Sequence, residues 1–138
     1  MANDTRINSA VIFVQELNRS VSFYQDVLGL EVVDRSPTAV LLMGSAGTQL
    51  VLRAMGGNAP HPLGGVGVQY VVWTASSKDD LDRCEQVLKE RSAYTDSRSG
   101  GEVRSIEGRD PDGITFAVIY PGPEQVPLHE LWTRIYAW

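Results

Sequence analysis

Cysteine and histidine are nearly absent from this 138-residue chain. One cysteine, Cys84, excludes an internal disulfide and any Cys-rich zinc module. Basic residues are also few: 12 Lys and Arg against 17 Asp and Glu leave a formal charge of −5. That balance argues against a nucleic-acid partner, because phosphate neutralisation needs clustered Lys and Arg. No apolar run approaches the ~18 residues of a membrane-spanning helix, so no membrane partner is expected. The opening Met1-Ala2-Asn3-Asp4 does not read as a signal peptide, and a soluble, cytoplasmic, single-domain protein is expected over 1–138. Hydrophobic residues at 43% and charged residues at 21% provide for an ordinary globular core.

The elements come in two rounds. Ile7 to Val14 is rich in β-branched residues and predicts a strand. Asn18 or Ser20 can cap a helix whose apolar face is Val21, Tyr24 and Leu28, and Gly29 fits its C-terminus. Leu30–Arg35, Ala39–Met43 and Gln49–Arg53 are three short β-prone runs separated by turn residues. Residues 55–67 then hold five Gly and two Pro, and a linker is expected over 55–65. The pattern restarts at Val66–Trp73. Ser77, with Asp80 three residues on, predicts the N-terminus of a helix carrying Leu81, Cys84 and Leu88. Tyr94–Ser97, Glu102–Glu107 and Ile114–Tyr120 follow as strands, the last entered through the turn Asp110-Pro111-Asp112-Gly113. Matching Leu81, Cys84 and Leu88 to Val21, Tyr24 and Leu28 gives a repeat step of 60 residues. The expected fold is α+β, two βαβββ modules over 7–54 and 66–120. In the tail, 121–138, the residues Leu128, Leu131, Trp132, Ile135 and Tyr136 have helical spacing. Two readings of that C-terminal helix stand: it packs on its own domain or a second subunit, or it is a lid carrying Trp132 or Trp138.

The run Ile12-Phe13-Val14-Gln15-Glu16-Leu17-Asn18-Arg19-Ser20, then Phe23-Tyr24 and Asp26-Val27-Leu28-Gly29-Leu30, resembles the vicinal oxygen chelate superfamily. This is the group of glyoxalase I, extradiol dioxygenases, fosfomycin-modifying enzymes and bleomycin resistance proteins. The Asp-Pro-Asp-Gly turn adds to the resemblance, which covers about residues 7–120. It implies that the paired modules form a curved mixed sheet around a cup holding the site, and that the protein is a homodimer.

The resemblance also implies four metal-ligand positions (His, Gln or Glu), on the first and last strand of each module. Aligned on the motif, these fall on Ser9, Val51, Gln69 and Ala117. If they face the cup, alternation turns Ala10, Ile12, Val14, Leu50, Leu52, Tyr70, Val72, Phe116 and Val118 toward the helices, an almost wholly apolar set. A divalent metal wants three or more imidazole, carboxylate or thiolate donors, which this set lacks. No metal and no other cofactor is therefore expected, and no catalytic residue is assigned. The only histidines, His61 and His129, fall in the linker and the tail.

The cup then reads as a small-molecule pocket, apolar with a few convergent polar groups: Phe13, Gln49, Arg53, Gln69, Trp73 and Thr115. Phe13 and Trp73 either sandwich a planar ligand or simply fill the cup. Arg53 either meets a ligand carboxylate or phosphate or pairs with an acid of this chain. Gln69 either orients a ligand amide or satisfies neighbouring backbone. Cys84 reads as a core residue. Three functions stay open: metal-free binding of the bleomycin-resistance type, including sequestration of a drug or metabolite; an enzyme, either a metal-dependent lyase, isomerase or dioxygenase or a metal-free catalyst with a polar cup residue as acid or base; or an accessory domain with a filled cup.

Overall fold

In the computed structural model, residues 7, 9–55, 68, 71–100 and 102–122 are described. Two compact units divide the chain, Met1–Ala59 and Pro60–Trp138.

In the first unit, β1 (Ser9–Val14) leads into α1 (Leu17–Leu28), followed by β2 (Glu31–Arg35), β3 (Ala39–Met43) and β4 (Gln49–Ala54). The N-cap of α1 is Glu16, not Asn18 or Ser20: its carboxylate accepts the Arg19 backbone N–H at 2.9 Å. Asn18 instead accepts from the Arg35 guanidinium at 3.1 Å, and Ser20 is fully buried within the helix. Gly29 ends the helix at φ 69°, a left-handed conformation that costs glycine nothing, and donates its N–H to the Gln25 carbonyl. The sheet order is β1-β4-β3-β2, with β1 and β4 parallel and the other pairs antiparallel. Helix α1 lies against β3 and β4. Beneath it Val40, Leu42, Leu50 and Leu52 are buried with Val14, Phe23, Tyr24 and Val27.

The second unit repeats the plan. It comprises β5 (Val71–Thr74), α2 (Lys78–Glu90), β6 (Tyr94–Gly100), β7 (Val103–Arg109) and β8 (Thr115–Tyr120), in sheet order β5-β8-β7-β6. Ser77 caps α2 as its sequence predicts, its hydroxyl accepting the Asp80 N–H at 3.0 Å. The Asp80 carboxylate reaches back to the Ser76 N–H at 3.0 Å. Leu81, Cys84 and Leu88 are buried under the helix. Arg104 of β7 bonds to both Asp82 and Glu85, and Lys89 sits 4.9 Å from the Tyr94 ring centre, so charged and aromatic groups tie helix to sheet. In the turn before β8, Asp110 accepts N–H groups of Asp112 and Ile114, both at 2.9 Å, and Gly113 takes φ 83°.

The repeat step is 61 residues, not 60, from the first strand through the helix. Val11 stands opposite Val51 and Val72 opposite Ala117, so Val72 is the counterpart of Val11. The N-caps Glu16 and Ser77 differ by the same step. On the helices, buried Leu81, Cys84 and Leu88 correspond to buried Ser20, Phe23 and Val27. Ser20 hides this match in an apolar pattern, whereas Leu28, which completes the 60-residue match, is only half-buried. Residues 56–67 of the linker, both histidines and residues 123–138 of the tail lie outside the described residues.

Candidate functional site

Each sheet has one face against its helix and one face turned away from it, here the free face. In the first unit the free face carries Ser9, Val11 and Phe13 of β1 opposite Gln49, Val51 and Arg53 of β4, then Met43, Leu41 and Ala39 of β3. Burial alternates with this register: Leu50 and Leu52 are buried, while Val11 and Phe13 are 60% and 57% exposed. Phe13 and Arg53 are direct cross-strand neighbours, placing an aromatic ring beside an exposed guanidinium. Gln49 lies on the same face four residues before Arg53, opposite Ser9. Three of the expected binding residues are thus brought together on one surface.

The second unit differs from the expected arrangement. Phe116 lies opposite Gly108, and a side chain at Gly108 would meet Leu88 of α2, so this row faces the helix. Val71 pairs with Phe116 and Trp73 with Val118. Trp73 therefore stands on the helix side, half-buried, and the structural counterpart of Phe13 is Thr74. The expected placement of Trp73 on the cup face fails because one residue of repeat step inverts a strand's facing. Val72, expected on the helix side, is on the free face with Thr74, Thr115, Ala117 and Ile119. Gln69 lies outside the described residues.

The free face of the second sheet holds acidic groups that the pattern of first and last strands passes over. One row runs Val72, Ala117, Glu107, Asp96 across β5, β8, β7 and β6; the next runs Thr74, Ile119, Ser105, Arg98. Glu107 is 8% exposed and Ser105 2%. Asp96 holds Arg98 in an ion pair at 3.1 Å. Among the described residues, the Glu107 and Ser105 side chains make no hydrogen bond or ion pair. Burial pushes the Glu107 carboxyl above its ordinary range; Arg98 opposes this and Asp96 adds to it. The sequence signal for Glu107 was its alternation with helix-facing Ile106 and Gly108, which sets it beside Ala117.

The four metal-ligand positions can be tested on the three that are described. Ser9, Val51 and Ala117 present one hydroxyl and two alkyl groups, a set that does not fit a divalent cation. Among the described residues no group of three or more His, Cys, Asp or Glu is placed to hold a metal. No helix there is long and apolar enough to cross a membrane.

Comparison with known proteins adds the following. A family model described as Glyoxalase/Bleomycin resistance protein/Dioxygenase superfamily matches residues 6–118. A manganese-dependent 2,3-dihydroxybiphenyl 1,2-dioxygenase from Geobacillus genomosp. 3 is 24% identical over 128 residues, 86% of this chain. The chain spans only 38% of that relative's length. A glyoxylase/bleomycin resistance protein/dioxygenase domain from Frankia sp. EAN1pec superposes with a TM-score of 0.74 at 20% identity, covering 85% of this chain and 98% of that one. A genomically encoded fosfomycin resistance protein from Listeria monocytogenes gives 0.70 at 17% identity, covering 89% and 98%. At these identities the solved structures establish the fold alone.

Proposed function

The chain belongs to the glyoxalase/bleomycin resistance protein/dioxygenase superfamily, and from that premise we propose that it binds a small organic molecule without a metal at the family's ligand positions. The observation that carries this reading is the residue set at the positions described, Ser9, Val51 and Ala117, which supplies no charged or imidazole donor. The free face of the first sheet supports a binding role: Phe13 and Val11 offer exposed apolar surface, with Arg53 and Gln49 as polar groups beside it. Thr115 contributes a hydroxyl on the second sheet's free face. Sequestration of a drug or metabolite by a cytoplasmic homodimer is the form of function proposed. The Geobacillus relative is described as manganese-dependent, whereas Ser9, Val51 and Ala117 of this chain offer no donor set of the kind a divalent cation takes.

A thermal-shift screen of small organic molecules tests the reading. A hit with saturable stabilisation that falls at least tenfold in affinity in Arg53→Ala or Phe13→Ser supports it. A screen without hits, or hits untouched by both substitutions, overturns it. Both side chains are exposed, so neither variant compromises folding.

A further inference from the structure

Polar groups sealed into a protein interior are paired in nearly every case, because lost hydration must be replaced. Glu107 and Ser105 of β7 break that rule together. Both point to the free face of the second sheet, two residues apart and hence about 7 Å along the strand. Both are more than nine-tenths buried, and among the described residues neither side chain makes a hydrogen bond or ion pair, Arg98 reaching Glu107 only through its charge. An ionised carboxylate is an acceptor only and requires donors. On β8, the neighbour across from Glu107 is the methyl of Ala117, and the neighbour across from Ser105 is Ile119. Neither can donate. On β6, the neighbours are Asp96 and Arg98, and Arg98 is engaged with Asp96 at 3.1 Å. Among the described residues of this patch there are two carboxylates and one guanidinium, and the guanidinium's ion pair is with Asp96 rather than with the buried Glu107.

We propose that Glu107 is the anchor for a positively charged nitrogen of the ligand, an amine or guanidine whose N–H groups are received by the Glu107 carboxylate and the Ser105 hydroxyl. The inference rests on the small-molecule reading above and names the chemistry of its ligand. A cation restores the charge balance of the Asp96–Arg98–Glu107 patch. A neutral hydroxyl satisfies one lone pair and leaves the charge, and an anion meets two carboxylates. The chain's overall charge of −5 draws cations by long-range attraction in the same sense. An ammonium donates three N–H bonds, enough for the carboxylate and the hydroxyl at once.

Three aromatic probes of similar size test this on the full chain: benzylammonium, benzyl alcohol and benzoate, titrated while the amide signals of residues 103–109 and 115–119 are followed by NMR. Benzylammonium is expected to shift these signals saturably, at least tenfold more tightly than benzyl alcohol, with benzoate weakest. Glu107→Gln is expected to weaken benzylammonium at least tenfold and leave benzyl alcohol unchanged; Ser105→Ala gives a smaller loss. If benzyl alcohol binds this face as tightly as benzylammonium, or Glu107→Gln leaves benzylammonium unaffected, the charge assignment is overturned while the small-molecule reading stands. If benzylammonium moves none of these signals, the anchor is overturned, and the thermal-shift screen decides the broader reading separately.

Discussion

Glu107 on β7 and Ala117 on β8 are direct cross-strand neighbours on the free face of the second sheet. Ala117 is one of the four positions on which the family resemblance sets a metal ligand, and its methyl offers the adjoining carboxylate no donor. A buried carboxylate with no hydrogen bond or ion pair among the described residues is a cost to the folded state, of the kind retained where function requires it.

That cost has a pH signature. Burial raises the Glu107 pKa in the folded protein above the ordinary glutamate value of 4.5, so the folded state holds this proton more tightly than the unfolded chain does. The group's contribution is therefore most favourable below pH 4.5 and is lost as pH rises through the folded value. Asp96 and Arg98 are the charged groups facing it from β6, and β5 and β8 present none. Glu107→Gln is expected to melt at a higher temperature than the parent at pH 7, with the difference vanishing at pH 4 and below. Thermal melts of both proteins across that range check the sign, and a parent that is more stable than the variant at pH 7 contradicts it.

Gly108 is required by close packing. A Cβ there would lie 2.9 Å from the Ala93 carbonyl oxygen and 3.0 Å from Leu88. Gly108→Ala is expected to destabilise the protein by roughly 1–3 kcal/mol, as overpacking of a tight contact does. Urea denaturation measures it.

Cys84 is expected to be chemically silent in the folded state. Burial pushes its thiol up to about 11 against the opposing charge of Arg83, so little thiolate exists at pH 8. Iodoacetamide should label it only after denaturation, as followed by mass spectrometry with and without urea.

The cap of α2 is the better formed of the two helix starts, with Ser77 accepting the Asp80 N–H and Asp80 accepting the Ser76 N–H. Ser77→Ala is expected to cost about 1 kcal/mol in chemical denaturation. Burial of Asp80 is outweighed by the Ser76 N–H and Arg83, which hold its carboxyl below 3.8. Its contribution is thus present above that pH and fades as pH falls through the lowered value.

The strands, both helices and the Asp110–Gly113 turn were legible because each rests on local chemistry: β-branched runs, a 3,4 apolar spacing, and an Asx turn closed by a glycine. The first sheet's free face was legible too, since Ser9, Val11 and Phe13 alternate cleanly with apolar neighbours. Trp73 was misplaced through Ser20, a serine buried where its counterpart in the second helix is Leu81. Apolar periodicity skips a buried hydroxyl, and the resulting shift of one residue inverted β5. Glu107 escaped notice because its role depends on cross-strand pairing, which joins residues of β6, β7 and β8 that local sequence does not associate. Likewise Glu16 caps α1 through a carboxylate longer than the Asn and Ser side chains that favour such sites.

Everything proposed for the site rests on the family's ligand positions in this chain holding no metal. The most direct test is metal content after incubation with Ni, Zn, Mn and Fe(II) in turn, followed by thorough desalting. A stoichiometry near zero is expected for all four. A stoichiometry near one per chain for any of them would contradict it and return the protein to the metal-dependent enzymes of its superfamily.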